Sequence, residues 1–161
     1  MDGDRKPFHV GIPAACAVIA LDQVVKWWIL SFVMTPPRRI PVTGFFDLVL
    51  VMNRGVSFGM FDSAPEWATP ALIVFAVLLS AVLGLWMWRA GTMLLATALG
   101  FVIGGAVGNV VDRFRFGAVV DFLDFHVAGY HWPAFNVADS AITVGVALLI
   151  LDSLKTKSAK P

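Results

Sequence analysis

The chain has 161 residues, of which 58% are hydrophobic and 14% are charged, and its formal net charge is +1. A mean hydropathy of +0.80 excludes a soluble globular domain, which needs a larger polar surface at this length. The near-neutral charge gives no argument for a nucleic-acid partner, and the single cysteine, Cys16, excludes an intrachain disulfide and a thiolate metal site. The composition therefore predicts a polytopic membrane protein.

Four segments are long and apolar enough to cross a bilayer, which takes about 20 mostly apolar residues. They are residues 10–30, 68–88, 92–111 and 135–154. The second and third segments are joined by residues 89–91 only, so we expect them to form a tight antiparallel hairpin. We expect residues 1–161 to form one domain.

The basic residues give a weak orientation signal. With four spans, both chain termini lie on one side of the membrane. That side has six lysines and arginines against five on the other: Arg5, Lys6, Arg89, Lys155, Lys157 and Lys160 against Arg38, Arg39, Arg54, Arg113 and Arg115. The lysines after Asp152 favour cytoplasmic termini by the positive-inside rule.

The first long loop contains a predicted strand. Residues 45–52 are rich in aromatic and β-branched side chains, and Asn53, Arg54 and Gly55 form a turn signal after them. This run is too short to span as a helix, so we expect a small sheet on the outer membrane face. The predicted class is an all-α membrane protein of four transmembrane helices with a small sheet and loop cradle.

Two patterns indicate how the spans pack. Gly100, Gly104 and Gly108 recur every four residues on the third span, and small residues on one face let a neighbouring helix approach closely. Asp22 and Lys26 lie four apart on the first span, which is the spacing of a helical ion pair. The pair either neutralises itself near an interface or orients polar groups of a neighbouring helix.

Three aspartates, Asp112, Asp121 and Asp139, lie inside or at the rim of these apolar segments. An aspartate at the centre of a membrane helix costs roughly 2.5–3.5 kcal/mol on insertion scales, so it persists when it is paired, hydrated or functional. For Asp112 the simplest interpretation is an ion pair with Arg113 or Arg115.

The other two aspartates have different surroundings. Asp121 lies in the apolar strip 119–123, where burial would raise its pKa and suit it to acid–base chemistry. Asn136 and Asp139 lie three apart at the predicted start of the fourth span. Helix capping explains this spacing as well as catalysis does, because Asn is a favoured N-cap and an acid is favoured in the first turn.

A metal site is the alternative use of the acids. His126 and His131 lie near Asp121 and Asp124 in the sequence, but their spacing does not place both histidines on one helical face. Residues 130–132 have the composition of an interfacial loop. We therefore expect no metal ion and no other cofactor.

Taken together, five motifs resemble the lipoprotein signal peptidase (signal peptidase II) family. All five occur in order in a short chain with four predicted spans, and the resemblance covers nearly the whole chain. The motifs are Asp22-Gln23 with Lys26, Asn53-Arg54-Gly55-Val56-Ser57-Phe58, Gly108-Asn109-Val110-Val111-Asp112-Arg113, Val119-Val120-Asp121-Phe122 and Phe135-Asn136-Val137-Ala138-Asp139-Ser140. One departure is that Arg54 and Val56 replace small residues usual in the loop motif, which affects the rim of the substrate groove and not the chemistry.

The resemblance implies a bacterial inner-membrane aspartyl endopeptidase. Such an enzyme removes the signal peptide from diacylglyceryl-modified prolipoproteins and cuts just before the lipidated cysteine. The implied catalytic dyad is Asp121 with Asp139. Asp112 is the alternative dyad member, because spacing alone does not separate it from Asp121.

The resemblance also implies supporting roles and partners. The implied substrate-binding or orienting residues are Asn53, Gly55, Asn109, Arg113 and Asn136, and the implied polar support comes from Asp22, Lys26 and Asp112. The expected partners are prolipoprotein substrates and membrane lipids, with no nucleic acid, and the expected form is a monomer. Cytoplasmic termini would place the active site near the periplasmic face.

Two other classes compete with a peptidase. A proton-coupled transporter could use Asp22, Lys26, Asp112 and Asp139 as a relay. Transporters usually place such acids near the bilayer midplane, whereas most of these lie at one rim beside a long loop. A non-catalytic membrane scaffold would need no acidic cluster.

Overall fold

The computed structural model describes residues 7–55 and 67–158, with side chains described as far as residue 155. In this part of the chain, four helices are long and apolar enough to cross a membrane. They are α1 (Phe8–Trp28), α2 (Ala68–Trp88), α3 (Met93–Phe116) and α4 (Val137–Ser158). The predicted class is confirmed: a multi-pass helical membrane protein with a small sheet.

Three of the four helices begin or end at residues other than those predicted, because turn and capping residues set the ends of a helix and hydropathy alone does not. α1 continues through a π-helical stretch, Ile29–Val33. α3 runs to Phe116, beyond the predicted residue 111, because nothing breaks the helix before Gly117, whose φ of 68° forms a left-handed cap. α4 begins at Val137, not at residue 135, because Asn136 caps it.

α3 is the central helix and packs against α1, α2 and α4. The glycine stripe lies where a neighbouring helix approaches closely, as predicted, and that helix is α1. A Cβ on Gly104 would lie 2.7 Å from the carbonyl oxygen of Ala15, and one on Gly108 would lie 2.8 Å from Asp22 Oδ2. These glycines therefore bring the polar residues of α1 directly against α3.

The strands form one antiparallel sheet in the order β1-β2-β3-β4. Its strands are β1 (Ile40–Thr43), β2 (Phe46–Asn53), β3 (Val119–Val127) and β4 (Tyr130–His131). The predicted strand 45–52 is confirmed as β2. β3, which contains Asp121, was not predicted as a strand. In the β2–β3 register, Asn53 lies opposite Val119, and Val51 opposite Asp121.

The sheet packs against the end of α1. Phe122 of β3 is buried together with Ile29 and Met34, just after the last α-helical residues of α1. Along the chain, the strands follow α1 and α3 and precede α2 and α4. The sheet therefore lies at the end of the bundle opposite to the beginning of α1 and the end of α4.

Candidate active site

Asp121 is buried in β3 and is only 1% exposed. Its Oδ2 accepts a hydrogen bond from Asn53 Nδ2 at 2.9 Å, and its Oδ1 accepts one from Asn136 Nδ2 at 2.7 Å. Burial raises the pKa of Asp121 to about 7, and the charge of Asp139 adds to this rise, while the two amide hydrogen bonds oppose it. The carboxyl is therefore poised to hold or release a proton near neutral pH.

Asp139 lies in the first turn of α4 and is half-buried. Asn109 Nδ2 of α3 donates to its Oδ1 at 2.8 Å, and the backbone N–H of Asn136 donates to its Oδ2 at 3.3 Å. In return, Asn136 Oδ1 accepts the backbone N–H of Asp139 at 2.9 Å. This reciprocal arrangement is a capping box, so the capping interpretation is confirmed.

Two asparagine side chains join the two carboxylates into one network. Asn136 Nδ2, which donates to Asp121, also lies 3.2 Å from Asn109 Oδ1, and Asn109 donates to Asp139. Asn136 thus caps α4 and contacts Asp121 at the same time. Three separate elements, β3, α3 and α4, bring these residues together.

Asp112 faces α1 and forms an ion pair with Lys26 at 2.8 Å, so the predicted pairing with Arg113 or Arg115 is wrong. Lys26 also pairs with Asp22 at 2.8 Å, which confirms the predicted helical ion pair. The physical reason is burial: Lys26 and Asp112 are 2% and 0% exposed, and such charges need close partners.

The two arginines have other partners. Arg115 Nη1 donates to Gln23 Oε1 at 3.2 Å, and Arg113 Nη1 lies 3.4 Å from the carbonyl oxygen of Asn109. Arg113 Nε is buried and has no hydrogen-bond partner within the described ranges. Arg113 therefore has a donor free for a ligand, and the charges of Asp139, Asp121 and Asp112 all act on it.

The loop motif is described in part. The backbone N–H of Gly55 donates to Asn53 Oδ1 at 3.1 Å, which leaves the Asn53 amide nitrogen directed at Asp121. Arg54 is exposed. The remainder of the motif, including Val56, lies outside the described residues. The effect of Val56 on the rim of the substrate groove therefore stays a prediction.

The histidines belong to a separate cluster at the far end of β3. His126 and His131 stack at 4.8 Å between ring centroids, His131 Nδ1 lies 2.8 Å from Asp124 Oδ2, and His126 Nε2 lies 3.2 Å from Asp47 Oδ2. Over residues 7–55 and 67–158, no three histidine, cysteine or acidic side chains gather as a metal site would require.

Asp47 and Gln23 are polar residues whose separate roles could not be predicted from the sequence. Burial raises the pKa of Asp47, but hydrogen bonds and charge from Arg39 and His126 outweigh it and hold the pKa below its ordinary value. Gln23 Nε2 donates to Asp112 Oδ1 at 2.9 Å. For Asp47 the sequence does contain a signal of a buried, paired acid, because it is the one charged residue in the apolar run 45–52.

Comparison with known proteins covers nearly the whole chain. A family model described as signal peptidase (SPase) II matches residues 14–155. A lipoprotein signal peptidase of Methylorubrum extorquens is 47% identical over 159 residues, covering 96% of this chain and 91% of that protein. A lipoprotein signal peptidase of Nitrobacter hamburgensis is 48% identical over 164 aligned residues, covering 96% of this chain and 98% of that protein.

Solved structures agree with the sequence matches. A bacterial membrane enzyme solved by the in meso method at 2.3 Å resolution superposes with a TM-score of 0.78 at 29% identity, covering 94% of this chain and 91% of that one. A second, at 1.9 Å resolution, gives a TM-score of 0.75 at 29% identity and covers 90% and 92%. The resemblance found in the five motifs is thus confirmed, and the chain belongs to the signal peptidase II family of membrane proteases.

Proposed function

We propose that this protein is an aspartyl endopeptidase that removes signal peptides from diacylglyceryl-modified prolipoproteins, cutting just before the lipidated cysteine. Its similarity to proteins named lipoprotein signal peptidase supports the substrate class. The proposal of an aspartyl mechanism depends on one observation, the joining of Asp121 and Asp139 through two asparagine amides. Paired carboxyls of this kind activate water without a serine nucleophile or a metal ion.

The two aspartates are given different roles by their surroundings. Asp121 is buried and holds the shared proton, because burial and the neighbouring charge of Asp139 raise its pKa to about 7. Asp139 is half-buried at the start of α4 and is the ionised partner, which faces the attacking water. Like charges at close range do not both ionise cheaply, so the pair keeps one proton.

The reaction follows from this division. Asp139 takes a proton from water as the water oxygen attacks the scissile carbonyl carbon, and Asp121 gives its proton to the carbonyl oxygen. The resulting diol collapses as the C–N bond breaks. Asp139 then passes its proton to the leaving amine of the cysteine, and Asp121 recovers one from a diol hydroxyl. Both carboxyls return to their starting states.

Asp112 is given a supporting role, although its motif is as prominent as that of Asp121. Its Oδ2 is engaged by Lys26 Nζ and by the backbone N–H of Val120, and its Oδ1 by Gln23 Nε2. Unlike Asp121, it has no hydrogen bond from Asn136 or Asn109, the two amides that lead to Asp139.

Residues around the dyad orient the substrate. Arg113 Nε is a buried donor without a partner in the described part of the chain, and it suits a backbone carbonyl of the bound peptide. Asn53, held by Gly55, and the pair Asn109 and Asn136 fix the carboxylates against which the peptide lies.

The proposed setting is the bacterial inner membrane, with both termini cytoplasmic and the site at the periplasmic face. The site and the sheet lie at the bundle end opposite to the termini, and the exposed Tyr130 and Trp132 beside them are of the type enriched at membrane interfaces. In this proposal the protein acts as a monomer, and the lipidated substrate reaches the dyad sideways with its acyl chains in the membrane.

The substrate class is tested with purified protein and two lipobox peptides that differ only in the diacylglyceryl group. We expect cleavage just before the modified cysteine, and a kcat/KM lower by about a hundredfold or more for the unmodified peptide, because remote binding energy is lost. A chelator should leave the rate unchanged. Equal cleavage of both peptides, or a rate abolished by the chelator, would contradict the proposal.

The pH dependence of cleavage gives a second prediction. Activity should fall on the alkaline side with an apparent pKa near 7, because Asp121 then loses the proton that it must donate. Asn53→Val removes a hydrogen bond that favours the ionised form, so the pKa of Asp121 should rise and the alkaline limb should move to higher pH. A limb that stays in place or moves to lower pH would count against Asp121 as the acid.

A further inference from the structure

We infer that Lys26 is a positioning residue that fixes, through Asp22 and Asp112, the backbone beside each of the two proposed catalytic aspartates. The inference rests on the proposed function, since it concerns the dyad of Asp121 and Asp139. It assigns one buried ammonium group the task of setting the geometry of both.

The ammonium group of Lys26 is fully engaged. Its Nζ lies 2.8 Å from Asp22 Oδ2, 2.8 Å from Asp112 Oδ2 and 3.1 Å from Asn109 Oδ1. An ammonium has three protons to donate, so these three acceptors saturate it. With 2% of its surface exposed, it has no role on the protein surface.

Each acid that Lys26 holds continues to the backbone next to a dyad member. Asp112 Oδ2 accepts the backbone N–H of Val120 at 3.1 Å, and Val120 immediately precedes Asp121. Asp22 Oδ1 accepts the backbone N–H of Ala138 at 2.9 Å, and Ala138 immediately precedes Asp139. The strand and the helix that present the dyad are therefore both attached to one lysine.

Lys26 also fixes the amide orientation of Asn109. Because Lys26 donates to Asn109 Oδ1, the Nδ2 group of Asn109 must point away, where it donates to Asp139 Oδ1 at 2.8 Å. Asn136 Nδ2, 3.2 Å from the same Oδ1, selects the same amide flip, so Lys26 reinforces the orientation that offers a donor to Asp139.

The other charged groups near the dyad do not duplicate this function. The charge of Arg113 interacts with Asp112, Asp121 and Asp139, but its hydrogen bond is to its own helix, at the Asn109 carbonyl. Arg115 reaches this region only through Gln23. Within the described residues, Lys26 is the one cation that contacts both supporting acids, and the neutral Gln23 amide also donates to both.

Lys26→Met tests the inference, since it keeps the side-chain length while removing the charge and the donors. We expect kcat to fall about a hundredfold with KM changed by less than about threefold, because catalysis is sensitive to small misplacements. The charge of Lys26 lowers the pKa of Asp121, so the alkaline limb should also move to higher pH. Lys26→Arg should restore the position of that limb.

A lysine with a merely structural role would reduce the yield of folded protein but leave kcat of the folded fraction unchanged at its pH optimum, although the loss of its charge would still move the limb. Wild-type kcat at the pH optimum in folded Lys26→Met would therefore overturn the inference. If that variant does not fold, a pair of substitutions at Asp112 decides the question instead.

Asp112→Asn keeps an acceptor for the Val120 N–H and leaves the Lys26–Asp22 ion pair, while its new nitrogen loses only the hydrogen bond from Gln23. Asp112→Leu removes the acceptor. We expect kcat to fall by no more than about tenfold for Asn and by about a hundredfold for Leu, because only the second frees the backbone beside Asp121. Equal kcat values in the two folded variants would overturn the inference.

Failure of the dyad assignment would look different. If Asp112→Asn abolished cleavage and Asp121→Asn did not, the proposed dyad would be wrong, and the inference about Lys26 would fall with it. If instead Asp121→Asn is inactive while Asp112→Leu keeps wild-type kcat, the dyad stands and only the positioning role is lost.

Discussion

Asp121→Asn is expected to lower kcat for the diacylglyceryl-modified peptide by at least about 10⁴-fold, on the scale seen when a reacting group is removed from a catalytic unit. Asparagine has the same shape and keeps one acceptor for the two amides of Asn53 and Asn136, but it holds no carboxyl proton to give to the carbonyl oxygen. The measurement is single-turnover cleavage by purified protein. The protein should still insert into the membrane and elute as a folded species.

The stability of this variant separates chemistry from folding. A buried acid with a raised pKa destabilises the fold as pH rises from about 4 to about 7, because the unfolded chain releases the proton more readily. Removing that acid should leave the thermal midpoint at pH 8 equal to, or above, that of the wild type.

Asp124→Asn is the matched control on the same strand. Asp124 pairs with His131 and has no contact with the amide network, so its substitution should change kcat by less than about threefold. Near-normal turnover by Asp121→Asn, together with its loss in Asp112→Asn, would transfer the catalytic role to Asp112.

Asn136→Leu is expected to have the second-largest effect, lowering kcat by about 10³-fold, as removal of one preorganised donor does in other active sites. It removes the donor to Asp121 Oδ1 and the link to Asn109. It also removes the cap of α4, which costs about 1 kcal/mol of stability. Both kcat and the thermal midpoint should therefore fall.

Asn136→Ser separates the two roles of this residue. Serine is a good N-cap, so the thermal midpoint should return close to that of the wild type. Its short side chain does not reach Asp121, so kcat should stay low. If Asn136→Ser cleaved the peptide at the wild-type rate, the amide link between the two carboxylates would have no catalytic importance.

Much of the architecture could be predicted because its signals are local. Four long apolar runs specify the helices, and the glycine spacing specifies which face of α3 meets α1. Asp22 and Lys26 are four apart on one helix, so their ion pair follows from helical geometry alone. The capping box of Asn136 and Asp139 is likewise a short-range pattern.

The remaining features depend on contacts between distant parts of the chain. β3 is buried on several sides, so its residues lack the alternation that marks a half-exposed strand. The partner of Asp112 lies on α1, far away in the sequence, whereas local spacing favoured the adjacent arginines. The amide network joins α3, β3 and α4, and no periodicity within one segment reports such a junction.

The central claim is that Asp121 and Asp139 share one proton, and infrared difference spectroscopy of the protonated carboxyl C=O stretch during a pH titration tests it most directly. The account predicts one carboxyl that titrates near pH 7. This signal should be absent in Asp121→Asn and should move to lower pH in Asp139→Asn, where the neighbouring charge is gone. A carboxyl signal that persists unchanged in Asp121→Asn, or a titration indifferent to Asp139→Asn, would contradict the shared proton.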